Sequence, residues 1–469
     1  MTSQLTTTSQ VRPVDASYVL DADHGHHLDP LQFWVFDSAS ETPPTTEEIN
    51  DHFRDRMPIF AELNRRYVEV PAHLDHAYWA ADDLPIDKRI VHDDRVGLDW
   101  PAMLDVLGEL AGAPLDARTT AWRIDVFHGV REVPGATATA TVLTLRGNHS
   151  LISGPLVLSL WEAFFGAGTE PVHFPGLGPV TPHVNRALAA ARGIARIPRS
   201  YVRYLRTIRA AVRDAENTKS VESQNVESQN SAPAPDLTST GINRDPGDRR
   251  SVLALRLGSV GPLPKGFTVT ALALTTISVA LQRYLAETDG QCPPDLTALA
   301  TVAVGAAPES LGINRIGWTD VALRPDVTSI PERAAAVQGS LTTGRAAATA
   351  GTLRRLTFAA DLPSFMLPAE LATNRRLLRA RTSPRTHTAL TSIRITGTTE
   401  WTLAGRPLLF GAGCPPLTSE VSVIHGLFGL GDDLTLAVIT SPDVMPDTQR
   451  YATLLTEALA EVTAALRPA

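Results

Sequence analysis

The hydrophobic and polar positions follow two different periods along the chain, and together they predict both strands and helices. Residues 137–145 alternate and are rich in β-branched side chains, a pattern that predicts a strand. Residues 45–60 open with Thr-Thr-Glu-Glu and continue with apolar positions three or four residues apart, which predicts a capped amphipathic helix. Residues 269–285 form a mainly apolar run that predicts a buried helix. Strand and helix signals alternate in both halves, which favours an α/β or α+β fold.

A break in composition divides the chain into two parts of similar length. Residues 217–250 are rich in Ser, Thr, Asn, Pro and Gly, and Val-Glu-Ser-Gln-Asn occurs at 221–225 and again at 226–230. Such a stretch buries little apolar surface, which predicts a flexible linker. We therefore predict an N-terminal domain over 1–215, a linker over 216–250 and a C-terminal domain over 251–469.

The composition is that of a globular protein, and it narrows the range of partners. Of the 469 residues, 43% are hydrophobic and 20% are charged, so the chain can bury a large core. The net charge of −8 argues against nucleic-acid binding, which depends on positive charge. The longest apolar stretch, 269–281, is too short to span a membrane, and residues 1–13 lack the apolar core of a secretory signal. We expect a cytoplasmic protein.

Metal chemistry is not indicated by the spacing of potential ligands. Cys292 and Cys414 show neither metal-ligand nor redox spacing. The run His24-Gly-His-His27 lies near Asp29, but no distant set of ligands accompanies it. We therefore expect neither a metal nor a cofactor.

The most informative segment for chemistry is 145–155, Leu-Arg-Gly-Asn-His-Ser-Leu-Ile-Ser-Gly-Pro. Here a predicted strand runs into a turn that is flanked by glycine and carries His149. A histidine at the end of a strand can reach a cleft, and its pKa near neutrality suits a general base. The alternative is a histidine whose ring is satisfied by the backbone of the turn.

Asn148–Gly154 resembles a degenerate HHxxxDG motif, the active-site motif of the wax ester synthase/diacylglycerol acyltransferase family. Other segments resemble the family in the same order along the chain. These are the opening at 13–20, the Arg-Arg to Tyr-Trp stretch at 65–79, the segment 115–122 ending in Trp122, the apolar helix at 267–285 and the segments at 311–318 and 332–333. The resemblance therefore covers nearly the whole chain.

This resemblance implies two similar domains like those of chloramphenicol acetyltransferase, with a channel between them. It also implies transfer of a long acyl group from acyl-CoA to a lipid alcohol, either diacylglycerol or a fatty alcohol. His149 would be the general base, and acyl-CoA would be a co-substrate. Asn148, Ser153 and Gly154 would support the turn, while Trp122, Thr270 and Asn314 would line the channel.

The chain departs from the family pattern at residues that support catalysis. The first histidine of the motif is Asn148, its aspartate is Ser153, and the Asn-Asp pair of the apolar helix is Thr270-Ala271. A serine cannot form the charged pair of an aspartate, and small misplacements in an active site can cost about 100-fold in rate. Two alternatives therefore stand beside the enzyme. One is a weak or inactive paralogue that binds lipid or acyl-CoA, and the other is an acyltransferase whose acceptor is not a neutral lipid.

Residues 184–213 contain eight arginines and no acidic residue, and they predict a basic helix. One face of that helix would carry Arg192, Arg196, Arg199, Arg203 and Arg206. A neighbouring apolar stripe would either lie on an anionic membrane surface or pack on the core. The first alternative predicts a peripheral protein on the inner face of the membrane.

The sequence does not indicate an oligomeric state.

Overall fold

The computed structural model describes residues 9–38, 42–222, 236–305, 307–395 and 400–467, and for 214–222 it gives only the path of a helix. Its helices are α1 (Pro13–Ala22), α2 (Thr46–Arg56), α3 (Trp100–Ala111), α4 (Val157–Phe165), α5 (Arg186–Glu222), α6 (Val269–Thr288), α7 (Ile330–Asp361), α8 (Leu367–Arg379) and α9 (Thr448–Ala465). The predicted capped helix is α2, in which Thr45 and Glu48 form a reciprocal capping box.

The strands build two six-stranded sheets, ordered β11-β12-β1-β6-β5-β4 and β7-β14-β13-β10-β8-β9, while β2 pairs with β3. From the first half of the chain come β1 (Leu31–Asp37), β2 (Arg65–Val68), β3 (Tyr78–Ala81), β4 (Ile90–His92), β5 (Trp122–Val130) and β6 (Ala140–Gly147). The second half supplies β7 (Ser251–Ser259), β8 (Thr297–Ala303), β9 (Ile316–Ala322), β10 (Thr388–Ile395), β11 (Thr402–Leu403), β12 (Arg406–Cys414), β13 (Ile424–Leu430) and β14 (Asp433–Thr440).

The first sheet is completed by two strands from the second half of the chain. The antiparallel partners of β1 are β6 on one side and β12 on the other. The predicted C-terminal domain, 251–469, therefore gives β11 and β12 to the N-terminal sheet. The sequence pattern could not reveal this exchange, because an alternating strand carries no information about which sheet it joins.

The two sheets approach each other closely where β12 passes β13. A Cβ atom on Gly426 would lie 2.5 Å from the carbonyl oxygen of Gly413, so this crossing requires a residue without a side chain. The larger apolar core is rich in aromatic rings and contains side chains from both sheets, while a second core, rich in aliphatic side chains, lies in the second half of the chain. Two mixed α/β halves thus meet along one junction, and the predicted fold class is confirmed.

Helix α6 forms the centre of the second core. Among the described residues it alone is long and apolar enough to cross a membrane, but 72% of its apolar window is buried inside the protein. It packs against α9 and α7, as a core helix does.

The predicted linker differs from a uniformly flexible segment. Helix α5 runs through 216–222, and residues 223–235 lie outside the described residues. From 236 onward the chain packs on the second half: Ile242 is buried, and the Asn243 side chain donates to the carbonyl oxygen of Thr386 at 2.9 Å. Polar composition misled the prediction here, because backbone and amide hydrogen bonds hold this segment without much apolar burial.

Candidate active site

The turn after β6 is held by hydrogen bonds of Asn148. Its amide nitrogen donates to Asp29 at 3.0 Å, and its amide oxygen accepts from the backbone N–H of Ser150 at 3.1 Å. Its backbone carbonyl accepts from the N–H groups of Leu151 and Ile152. Asn148 therefore fixes the local geometry that presents the next residue, His149.

Asp29 supports the same turn from the segment before β1. It accepts the backbone N–H of His149 at 3.3 Å and that of Leu115 at 3.2 Å. Desolvation raises the pKa of Asp29 to about 6, although the two N–H groups and Arg146 oppose the shift. Asp29 thus stabilises the turn through hydrogen bonds. It does not belong to a metal site, because the described residues contain no group of three histidine, cysteine or acidic side chains that could hold a metal ion.

The imidazole of His149 stacks on the ring of Tyr18, with 4.2 Å between the ring centroids and 13° between the planes. Desolvation lowers the pKa of His149 to about 4, while polar contacts with its own backbone and with Asn314 oppose the shift. At neutral pH the ring is therefore uncharged, but its pKa lies below the near-neutral value expected from the sequence, which makes it a weaker base than an ordinary imidazole. Its Nδ1 atom is buried and makes no hydrogen bond with the described residues.

A loop from the second half closes the site opposite the turn. Asn314 donates from its amide nitrogen to the carbonyl oxygen of His149 at 3.0 Å and to Asp15 at 2.8 Å. The same Asp15 carboxylate, on α1, accepts the backbone N–H groups of Ile313 and Asn314 at 3.2 Å. Burial raises the pKa of Asp15 to about 7, which these hydrogen bonds partly offset.

The loop residue Gly312 has a φ of 110°, which L side chains rarely adopt, and a Cβ atom there would collide with the Asp15 carboxylate. The loop is therefore shaped to receive this one carboxylate. Asp15 joins α1, the loop before β9 and, through Asn314, the backbone of His149.

A cavity of about 860 Å³ opens beside His149, between β9 and α7. Tyr18, His149 and Asn314 line one end of it. Trp122 and Thr270, two of the side chains predicted to line the channel, lie outside it. The indole of Trp122 donates to the carbonyl oxygen of Leu63 within the larger apolar core, and the Thr270 hydroxyl donates to Ser392 at 3.2 Å.

Sequence reasoning missed the roles of Asp15, Tyr18 and Asp29. The missed signal at Asp15 is an acidic residue inside the mainly apolar segment Pro-Val-Asp-Ala-Ser-Tyr. Tyr18 follows three residues later and therefore lies on the same helical face. Their partners are distant in sequence, so the pattern of α1 alone could not place them at the site.

Helix α5 carries the predicted basic stripe, and it continues through Pro198 without interruption. Arg192, Arg199 and Arg206 are exposed, whereas Arg203 pairs with Asp361 at 2.7 Å and Arg196 with Asp75 at 3.5 Å. The predicted apolar stripe divides between the core and the surface. Its half-buried members are Ile197, Leu205 and Ile208, and its exposed members are Tyr201 and Val212.

Two family models match the chain. The wax ester synthase/diacylglycerol acyltransferase catalytic domain matches residues 11–258, and the C-terminal domain of the same family matches residues 314–463. The chain belongs to this family.

Solved structures share the fold of this chain. The wax ester synthase/diacylglycerol acyltransferase from Marinobacter aquaeolei VT8 is 15% identical with a TM-score of 0.61, over 97% of this chain and 98% of that chain. A starter condensation domain of rhizomide synthetase, solved as a mutant with C8-CoA, is 10% identical with a TM-score of 0.50, over 98% and 96%. These likenesses support the two-domain fold. Curated proteins gave no match to the sequence.

In this wax ester synthase/diacylglycerol acyltransferase family member, Ser153 stands at the position of the motif aspartate. Ser153 is buried, and its hydroxyl donates to the carbonyl oxygen of Ile313 at 3.1 Å. The backbone N–H of the same Ile313 is bound by Asp15. Ile313 is therefore held at its carbonyl group by the Ser153 hydroxyl and at its N–H group by the Asp15 carboxylate. The next residue, Gly154, begins a short 3-10 helix.

Proposed function

We propose that the chain transfers a long acyl group from acyl-CoA to a lipid alcohol, either diacylglycerol or a fatty alcohol, with His149 as general base. The observation that carries the proposal is a group of unsatisfied polar atoms beside the cavity. His149 Nδ1, Ser150 Oγ and Asn314 Oδ1 are buried without a hydrogen-bond partner among the described residues. Such atoms are rare in folded proteins, and each one calls for an explanation such as a catalytic role.

The proposed step follows from this geometry. The neutral imidazole takes the proton from the acceptor hydroxyl, and the hydroxyl oxygen attacks the thioester carbonyl carbon. The carbon–sulfur bond then breaks, and CoA leaves as a thiol after taking up the proton. The stacking of Tyr18 and the hydrogen bonds at the backbone of His149 hold the ring in position through both transfers. Acyl-CoA is a co-substrate in this step, and no other cofactor takes part.

The experiment measures release of free thiol from palmitoyl-CoA by the purified chain. The acceptors are diacylglycerol, hexadecanol and trehalose, supplied separately, and the control is His149→Ala. Release that requires diacylglycerol or hexadecanol and is absent from the control supports the proposal. Release that requires only trehalose would replace the lipid acceptor with a sugar.

A second candidate is a lipid- or acyl-CoA-binding protein without turnover, and the substitution at Ser153 favours it. The motif carboxylate is absent at this position, so the turn lacks a charged anchor of its own. Binding of palmitoyl-CoA without thiol release from any acceptor would support this candidate over the enzyme.

We also propose that the protein is cytoplasmic and that α5 brings it to the anionic inner face of the membrane. Ile194, Tyr201 and Val212 are 44–54% exposed and lie seven and eleven residues apart, on one flank of the helix. Arginines accompany them, and each contributes about 1 kcal/mol near such a surface.

Sedimentation with phosphatidylglycerol vesicles tests this proposal, with phosphatidylcholine vesicles as the control. The triple variant Arg192→Gln/Arg199→Gln/Arg206→Gln should lose binding to the anionic vesicles. Equal sedimentation of the variant and the parent would contradict the proposal that α5 binds the membrane.

A further inference from the structure

Three arginines are among the residues that line the cavity beside His149, and all three are exposed. Arg354 and Arg355 come from α7, and Arg385 comes from the segment between α8 and β10. Asp320 is the acidic side chain among the residues that line the cavity. None of the three arginines forms an ion pair with a carboxylate in the part of the chain that the structure describes.

Two arginines on the neighbouring elements are paired with acids. Arg203 on α5 binds Asp361 at the end of α7, and Arg375 on α8 binds Asp21 on α1. Pairing removes most of the electrostatic attraction that a guanidinium has for a ligand. The positive charge around the cavity therefore remains available to an anion, while the charge of these neighbours does not.

Small residues of α7 leave room for that anion. Ala347, Ala348 and Gly351 line the cavity, and larger side chains at these positions would fill it. A Cβ atom on Gly344 would collide with the hydroxyl of Thr319, so α7 lies against β9 there and the cavity opens further along the helix. Its volume of about 860 Å³ falls within the range of sites that bind small molecules.

Arg355 is the cavity arginine whose position relative to the candidate base, His149, is best defined. Its guanidinium donates to the carbonyl oxygen of Ile316 at 3.1 Å, which fixes the side chain near the start of β9. Its charge also acts on Tyr18, whose ring stacks on His149. An anion bound here would therefore belong to a molecule that reaches the imidazole.

We propose that Arg354, Arg355 and Arg385 form an anion subsite that binds a phosphate group of a substrate in the cavity of His149. Guanidinium groups bind phosphate oxygens through paired hydrogen bonds, and a phosphate monoester carries nearly two negative charges at neutral pH. The choice of substrate rests on the proposed function. The phosphate belongs either to acyl-CoA, which carries a 3′-phosphate, or to a phosphorylated lipid alcohol that serves as acceptor.

The test measures equilibrium binding to the full chain, so it does not depend on turnover. The variant Arg354→Gln/Arg385→Gln removes two charges and retains Arg355 with its bond to the backbone. Arg345→Gln is the matched control, because Arg345 is an exposed arginine of α7 that does not line the cavity. The probes are CoA against dephospho-CoA, and lysophosphatidic acid against monoacylglycerol.

In the double variant, the dissociation constant of the phosphorylated probe should rise roughly tenfold or more, since hydrogen bonds to charged groups are the strong ones. A loss confined to CoA assigns the phosphate to the donor, and a loss confined to lysophosphatidic acid assigns it to the acceptor. Unchanged binding of both phosphorylated probes, or an equal loss with monoacylglycerol, overturns the subsite. An equal loss with CoA and dephospho-CoA overturns the 3′-phosphate as the bound group and assigns the subsite to the diphosphate that both molecules carry. Failure of acyl transfer with intact CoA binding would instead count against the proposed function alone.

Discussion

His149 in the first half and His425 in the second differ in what surrounds their rings. Desolvation lowers the pKa of each to about 4. His425 is fully buried on β13, where Nε2 contacts the Tyr451 hydroxyl at 2.9 Å and Nδ1 contacts the Thr388 hydroxyl at 3.1 Å. His149 lines a cavity, and its Nδ1 has no partner among the described residues.

The difference teaches that a perturbed pKa does not by itself identify a base. The ring of His425 is occupied by structural hydrogen bonds on both nitrogens, so a substrate would have to displace them. The ring of His149 is held by stacking and by its backbone, which leaves its polar atoms for chemistry. The two histidines have similar pKa values, but they differ in the hydrogen bonds of their ring nitrogens and in access to a cavity.

The largest expected effect is on turnover in His149→Gln. Loss of the general base should lower kcat by about 100- to 10,000-fold, because this is the usual contribution of a positioned base. The thermal unfolding midpoint should change little, since the ring makes no hydrogen bond that folding depends on. Full activity in this variant would place the base elsewhere.

Asp15→Asn should lower kcat by roughly 100-fold, because a small misplacement of a reacting group has this effect. The new amide group would face the N–H groups of Ile313 and Asn314, and the loop that holds the backbone of His149 would move. The KM for the donor should change less than kcat, which a general loss of folding would not produce. Asp21→Asn is the matched control, since Asp21 lies on the same helix and pairs with Arg375 instead.

His425→Gln tests the other half of the comparison. It should lower the free energy of unfolding by about 2 kcal/mol, because it disrupts buried hydrogen bonds to Thr388 and Tyr451. Activity per folded molecule should remain at the parent level, since the ring is remote from the cavity lining. Denaturant titration measures the free energy of unfolding, and turnover divided by the concentration of folded protein measures the activity per folded molecule. A large loss of turnover without a loss of stability would contradict the structural role.

The last prediction concerns how the free energy of unfolding depends on pH through His425, an effect that cannot exceed that of His425→Gln. The folded pKa of His425, about 4, lies below the ordinary value near 6.5, so the unfolded state binds the proton more tightly. The stabilisation is complete above pH 6.5 and is lost as the pH falls toward 4. At pH 5, the stability difference between the parent and His425→Gln should therefore be up to about 2 kcal/mol smaller than at pH 7.5. A difference independent of pH would refute this account.

The sequence could indicate His149 and Asn314, because both lie in segments that resemble family motifs. It could also place α6 and β6, since their patterns of apolar residues have a clear period. It could not pair Asp15 with the loop before β9, because that contact joins α1 to a distant segment through backbone N–H groups that carry no sequence signal. For the same reason it could not predict that Ser153 and Asp15 share Ile313.

The pairing of β1 with β12 has a consequence for biosynthesis. Leu31 lies opposite Cys414, so nearly the whole chain must leave the ribosome before the first sheet gains this strand. Until then, one edge of an apolar strand has unpaired N–H and carbonyl groups and can pair with other chains. A fragment that ends before residue 406 would retain this open edge permanently. The first sheet is therefore expected to form only after residue 414 has been synthesised, and solubility is expected to depend on the strand at 406–414.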